Sequence, residues 1–289
     1  AEASTPTGPD LGTFFAAAAI LFASFIGFDS IAQAGGEARD PERNLPRAIG
    51  LAVLVVGGFY VLFTAAVYHA VPWTFIAERA QTQDLTAPGL LGYLLAPGWT
   101  VAIVAGAAIA LINDLPAMLL AVSRLMFAWA EDGVFPRHVA AIHPRRGTPH
   151  IALVASGAMA TVSILGCHFA GDFFLGIDLL VISMLINFFV MCLSVLALPR
   201  RNPDLASRVQ LLRSPTLRAV TAAAGAVMLG LLLVVHIVND VSAELEAWYF
   251  HSTWVWLGVL TLASAIYFRE RAQLIRAGVD LRQRFSTLP

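Results

Sequence analysis

Long apolar runs constrain this chain more than any other feature. Crossing a bilayer core of about 30 Å takes roughly 17–25 residues of α-helix, since a single helix satisfies all its backbone polar groups internally. Seven stretches meet or approach that length, at residues 11–34, 48–71, 98–130, 151–167, 173–198, 217–238 and 254–268. The first carries Gly27, Phe28, Asp29 and Ser30 in its interior, the third is over-long and the fourth is short. With 58% of its 289 residues hydrophobic and 13% charged, the sequence is too apolar for an ordinary soluble domain. It reads as an all-α integral membrane protein.

Net charge is −1, so nothing in the bulk composition points to a nucleic-acid partner. The placement of charge is more informative. All 18 basic residues are Arg, and 17 of them follow the odd-numbered runs. Arg39, Arg43 and Arg47 follow the first run, and Arg124, Arg137, Arg145 and Arg146 end or follow the third. Arg200, Arg201, Arg208, Arg213 and Arg218 follow the fifth; Arg269, Arg271, Arg276, Arg282 and Arg284 follow the seventh. Only Arg79 lies on the other side, with Asp84, Asp172, Asp240, Glu244 and Glu246. The positive-inside rule then puts the N-terminus outside and the C-terminus in the cytoplasm. Trp73, Trp99, Trp248, Tyr249, Trp254 and Trp256 cluster near outer span ends, as an interfacial belt would. The implied organisation is an outer leader (1–10), five spans (11–198), a cytoplasmic connector with two more spans (199–268), and a cytoplasmic tail (269–289). An outward N-terminus with neither Met nor a basic signal segment is expected of the latter part of a longer protein.

Helix boundaries are marked by Asp40-Pro41, Thr148-Pro149 and Ser214-Pro215, each a capping residue before a Pro at the expected first helical position. Cys167 and Cys192 have no spacing for zinc and give no case for a disulfide. Metalloprotease, nucleophile-elbow and phosphate-loop signatures are absent, which argues against an enzyme. No cofactor is implied.

Two intramembrane polar groups stand out. Asp29 costs roughly 2.5–3.5 kcal/mol near the bilayer centre, so it should face protein or water. Beside Gly27 and Ser30 it could break the helix and leave backbone groups lining a cavity, as in transporters. Alternatively the helix is continuous, Gly27 permits close packing and Asp29 bonds to a neighbour. The second group is Asn113-Asp114-Leu115-Pro116. Pro116 frees the carbonyl of Ile112, and Asn113 and Asp114 add oxygen ligands beside it, suited to a proton, Na⁺ or an amine. A proline-kinked packing helix is the other reading. Asp178 and Asn187 read as a loop-end residue and an interhelical hydrogen bond, and His69, His168, His236 and His251 as wet histidines near outer span ends.

The segment Phe25-Ile26-Gly27-Phe28-Asp29-Ser30, with Glu37, Asp40-Pro41, Arg43 and Pro46, resembles the sixth helix and following loop of the amino acid/polyamine/organocation permeases. Ser123-Arg124, Ala130-Glu131-Asp132-Gly133-Val134-Phe135-Pro136, His143-Pro144 and Gly147-Thr148-Pro149 resemble that family's eighth helix and its loop. The resemblance implies a LeuT-like fold of two inverted five-helix repeats followed by two helices, of which this chain holds helices six to twelve. The missing first repeat, or a second chain, would be its partner in the plasma membrane. It further implies transport of an amino acid or related amine by alternating access, coupled to H⁺ or Na⁺. In that scheme the carbonyls of Ala23 and Ile26 accept the substrate's ammonium, Phe28 is an aromatic gate, and Asp29 is the acidic gating position. Gly27 and Ser30 shape the break, and Asn113 and Asp114 contribute substrate and ion contacts. Ala23 is small where some members carry an aromatic gate, and Gly35-Gly36 precedes Glu37 where an acidic residue often stands. A heptahelical receptor shares the span count, but a retinal Schiff base is excluded without Lys, and the end of the third span matches the permease.

Overall fold

In the computed structural model, residues 11–33, 35, 38–80, 87–170, 174–209, 214–244 and 247–280 are described. Among them the chain is helical, without strands: α1 (Leu11–Ala23), α2 (Asp29–Gln33), α3 (Pro41–Ala70), α4 (Trp73–Ala80), α5 (Ala87–Leu94), α6 (Pro97–Asp132), α7 (His150–Ala170), α8 (Phe174–Arg201), α9 (Pro203–Arg208), α10 (Pro215–Ser242) and α11 (Ser252–Arg276). The chain is a multi-pass helical membrane protein: among the described residues five helices, Pro41–Ala70, Gly98–Asp132, His150–Phe169, Leu175–Arg201 and Pro215–Ser242, are long and apolar enough to cross a bilayer. Helix α1, with 13 residues, is too short by itself. Helix α11 is long enough but falls outside the set, because Trp, Thr, Ser and Tyr dilute its apolar stretch before Arg269-Glu270-Arg271.

Helix α8 is the hub, packed on α10, α11, α1 and α7. Ala19, Val181, Leu185 and Leu232 form a buried cluster, with Phe15, Phe22, Ile177 and Leu229 against it. Small residues allow the α8–α10 approach: a Cβ on Gly225 would stand 3.1 Å from Cys192 Sγ, and one on Gly230 would stand 3.3 Å from the Phe189 ring. Lipid is as apolar as leucine, so such close packing rather than exclusion of water holds membrane helices together. A second cluster, Met126, Ala130, Val139 and Ala152, joins the end of α6 to α7 through the 3₁₀ turn Arg137–Ala140.

Helices α3 and α6 are different. Their apolar windows contain no buried residue. Leu51, Leu54, Phe59 and Leu62 on α3, and Ile109, Leu111, Ile112 and Leu115 on α6, are all exposed.

Several boundaries depart from the sequence expectation. Helix α3 starts at Pro41 and runs through Pro46, seven residues ahead of the expected run at 48. Asp40 does not cap it by its side chain: its backbone is left-handed at φ 46°, and its own carbonyl takes the N–H groups of Arg43 and Asn44 at 3.0 and 2.9 Å. Helix α7 begins at His150, so Pro149 precedes rather than opens it. Ser214 does cap α10, its hydroxyl accepting from the Leu217 N–H at 3.4 Å. His236 is not wet; it is 7% exposed, and its Nε2 has no hydrogen-bond partner among the described residues.

Candidate functional site

The α ladder stops at Ala23 and resumes at Asp29. Between them the backbone turns through short i→i−3 bonds: the N–H groups of Ser24, Phe25 and Ile26 donate to the carbonyls of Leu21, Phe22 and Ala23 at 3.0, 3.1 and 3.1 Å. Gly27 then adopts φ 133°, a region that only glycine enters without strain. Its N–H donates to Asp29 Oδ1 at 3.1 Å, and its carbonyl accepts from the Ser30 N–H at 3.2 Å. Asp29 therefore closes the break locally, the side-chain-to-backbone competition that favours Asp at helix starts. The carbonyls of Phe25 and Ile26 accept no hydrogen bond among the described residues. That of Ala23 already holds the Ile26 N–H and has one lone pair left.

These turns border a cavity of about 290 Å³ whose lining includes Ser24, Ile26, Gly27 and Phe28 on one side and Val53, Val56 and Tyr60 of α3 on the other. Unpaired backbone at membrane depth is tolerated where it lines such a space. Tyr60 fixes the near wall: its hydroxyl donates to the Ser24 carbonyl at 2.7 Å, and its ring meets Phe25 edge-on at 5.4 Å. Gly57 lets Phe25 approach, since a Cβ there would lie 3.3 Å from the Phe25 ring. Phe28 stacks on Phe188 of α8 at 5.3 Å between centroids, and Phe22 meets the same ring edge-on at 5.9 Å. The α1–α2 segment is thus held between α8 and α3.

Asn113 and Asp114 do not join this site. Both are exposed on α6, which runs unbroken through Pro116, and neither lines the cavity. Glu37 lies outside the described residues, as do Asp84, Asp172, Arg213, Glu246, Arg282, Arg284 and the leader 1–10. Tyr60, Gly57 and Phe188 were missed by sequence reasoning. The signal available for Tyr60 was a phenol hydroxyl deep inside an apolar run, two residues after Gly57-Gly58.

The second motif is architectural. Gly133, at φ 78°, ends α6 while the N–H groups of Val134 and Phe135 return to the Trp129 carbonyl at 2.9 and 3.1 Å. Phe135 packs on the α6–α7 cluster. His143 organises the next turn: its ring Nδ1 accepts from the Arg145 and Arg146 N–H groups at 3.2 and 3.3 Å, and its backbone pairs with Thr148 and Gly147.

Long apolar helices, the first interrupted over a cavity, define a membrane protein built on a discontinuous helix. Residues 1–264 match the family described as amino acid permease, and the chain belongs to that family. It is 29% identical over 195 residues to a branched-chain amino acid permease of Bacillus subtilis, covering 67% of this chain and 40% of the relative. It is 30% identical over 218 residues to a low-affinity putrescine importer of Escherichia coli, covering 72% and 45%. It is 30% identical over 201 residues to vacuolar cationic amino acid transporter 2 of Arabidopsis thaliana, covering 66% and 28%. The chain spans less than half the length of these relatives.

Proposed function

We propose that this chain is the second repeat, with two following helices, of a secondary transporter for an amino acid or related amine, and that it carries half of the substrate site. The observation that carries this reading is the interrupted segment between Ala23 and Asp29, whose Ile26 carbonyl is unpaired beside the 290 Å³ cavity. Carbonyls at the end of a half-helix present partial negative charge, which suits an ammonium group or a coupling cation. The relatives named for branched-chain amino acids and for putrescine share an amine as the common recognisable group.

The exposed apolar surfaces of α3 and α6 support the rest of the reading. Two spans with no buried residue in their apolar windows leave whole faces open that a further set of helices could cover. A first repeat, in the same polypeptide or a second chain, would cover them and bring Asn113 and Asp114 toward the substrate path. Alternating access then consists of the partner repeat rocking against α1–α2, with the Phe28–Phe188 stack as the element that must open. Asp114 is proposed to carry the coupling H⁺ or Na⁺, with the N-terminus of this chain outside the plasma membrane.

The test is uptake into liposomes by the complete carrier under an imposed ion gradient. Asp114→Asn should reduce gradient-driven accumulation at least tenfold while leaving substrate binding in place. Unchanged coupling stoichiometry would remove Asp114 from the mechanism, and ligand binding without any flux would favour a receptor.

A further inference from the structure

A second cavity, of about 600 Å³, lies between the loop that ends α6 and the last turns of α11. Its lining brings together residues more than 130 positions apart: Arg137 and His138 from the 3₁₀ turn, and Arg269 and Glu270 from α11. The walls are fixed by packing. A Cβ on Gly133 would stand 2.9 Å from Leu274 Cδ1, and Leu274 is 7% exposed, so the α6 terminus and α11 are in direct contact. Neither Arg137 nor Arg269 forms an ion pair among the described residues. Glu270, also unpaired there, offsets one of the two charges, so the Arg and Glu side chains that line the cavity carry a net charge of one positive.

We infer that this cavity binds the phosphate of an acidic lipid headgroup between Arg137 and Arg269. Guanidinium forks match phosphate oxygens in paired hydrogen bonds, and two forks from separate elements can hold one phosphate from both sides. The position names the source. Arg269 follows directly on the apolar stretch of α11 that ends at Phe268, and Arg137 lies five residues beyond the end of α6, so with those helices in a bilayer both arginines would stand near headgroup depth. Gln273, also on the lining, is a neutral donor suited to the glycerol hydroxyls of such a headgroup. A lipid held here would tie α11 to α6, the span that bears Asp114.

The experiment uses the 289-residue chain reconstituted in nanodiscs containing equal parts phosphatidylglycerol and phosphatidylcholine, with retained lipid measured by native mass spectrometry. The chain should retain phosphatidylglycerol selectively. The double variant Arg137→Gln/Arg269→Gln should bind it roughly thirtyfold more weakly, and Arg137→Gln alone roughly fivefold, should the double variant not fold. Arg137→Lys/Arg269→Lys should retain most of the preference. Arg271→Gln, an exposed neighbour that does not line the cavity, should leave it unchanged. Absence of selectivity, equal retention by the Gln variants, or an equal loss in Arg271→Gln would overturn the assignment. So would capture of inorganic phosphate by protein that retains no phosphatidylglycerol, which would make the ligand a soluble anion.

Discussion

Replacing Gly27 by Ala isolates the backbone conformation of the break from its packing. Gly27 sits at φ 133°, and a Cβ built there meets nothing within 4 Å. The substitution therefore introduces torsional strain with no steric clash. A non-glycine residue in a sparsely populated positive-φ region costs about 1–3 kcal/mol. That corresponds to roughly a 5- to 150-fold fall in the ratio of folded to unfolded protein. Gly58, inside α3, also has open space around it but has ordinary helical backbone. Gly58→Ala should therefore be neutral or stabilising by up to about 1 kcal/mol. Unfolding by denaturing detergent, followed by far-UV circular dichroism in mixed micelles, gives both values on one scale. Equal stability of the two variants would show that residue 27 has no special backbone, and that the helix runs continuously through the segment.

Three further outcomes follow from the packing. Asp240 accepts the Ser252 and Thr253 N–H groups at 2.9 Å each, capping α11 from the end of α10. Asp240→Ala should lower stability by about 1–2 kcal/mol in the same unfolding assay. Leu185 is fully buried against α1 and α10, and Leu185→Ala should fall toward the lower end of the ~2–5 kcal/mol range, because lipid removes the aqueous transfer component. Leu54→Ala, on exposed α3, should change stability by less than about 0.5 kcal/mol unless a partner repeat is present.

Much of the molecule was legible because lipid simplifies the rules. Where every backbone group must pair internally, an apolar run has one outcome, and each expected run holds a helix. The interruption was legible for the converse reason: Gly27 supplies the positive φ, and Asp29 supplies an oxygen for the orphaned N–H. Capping was less legible, since Asp40 has the right side chain in a backbone conformation that prevents its use. Tertiary partners were not legible. Nothing local couples Tyr60 to Ser24 across 36 positions, or Phe28 to Phe188 across the bundle. His236 was misjudged as wet because its depth in α10 depends on the neighbours that cover it. The second half of the family resemblance lies at turns, where Gly133 ends α6 and His143 organises the bend that follows.

The central claim is that the segment between Ala23 and Asp29 is half of a substrate site that needs a partner repeat. Its most direct measurement is uptake of labelled branched-chain amino acids and putrescine into liposomes by three proteins: this chain alone, the chain joined to a first repeat, and the joined protein carrying Gly27→Ala. The account predicts no uptake by the first, uptake by the second, and at least tenfold slower uptake by the third at equal protein incorporation. Uptake by the chain alone, or full activity with Gly27→Ala, would contradict it.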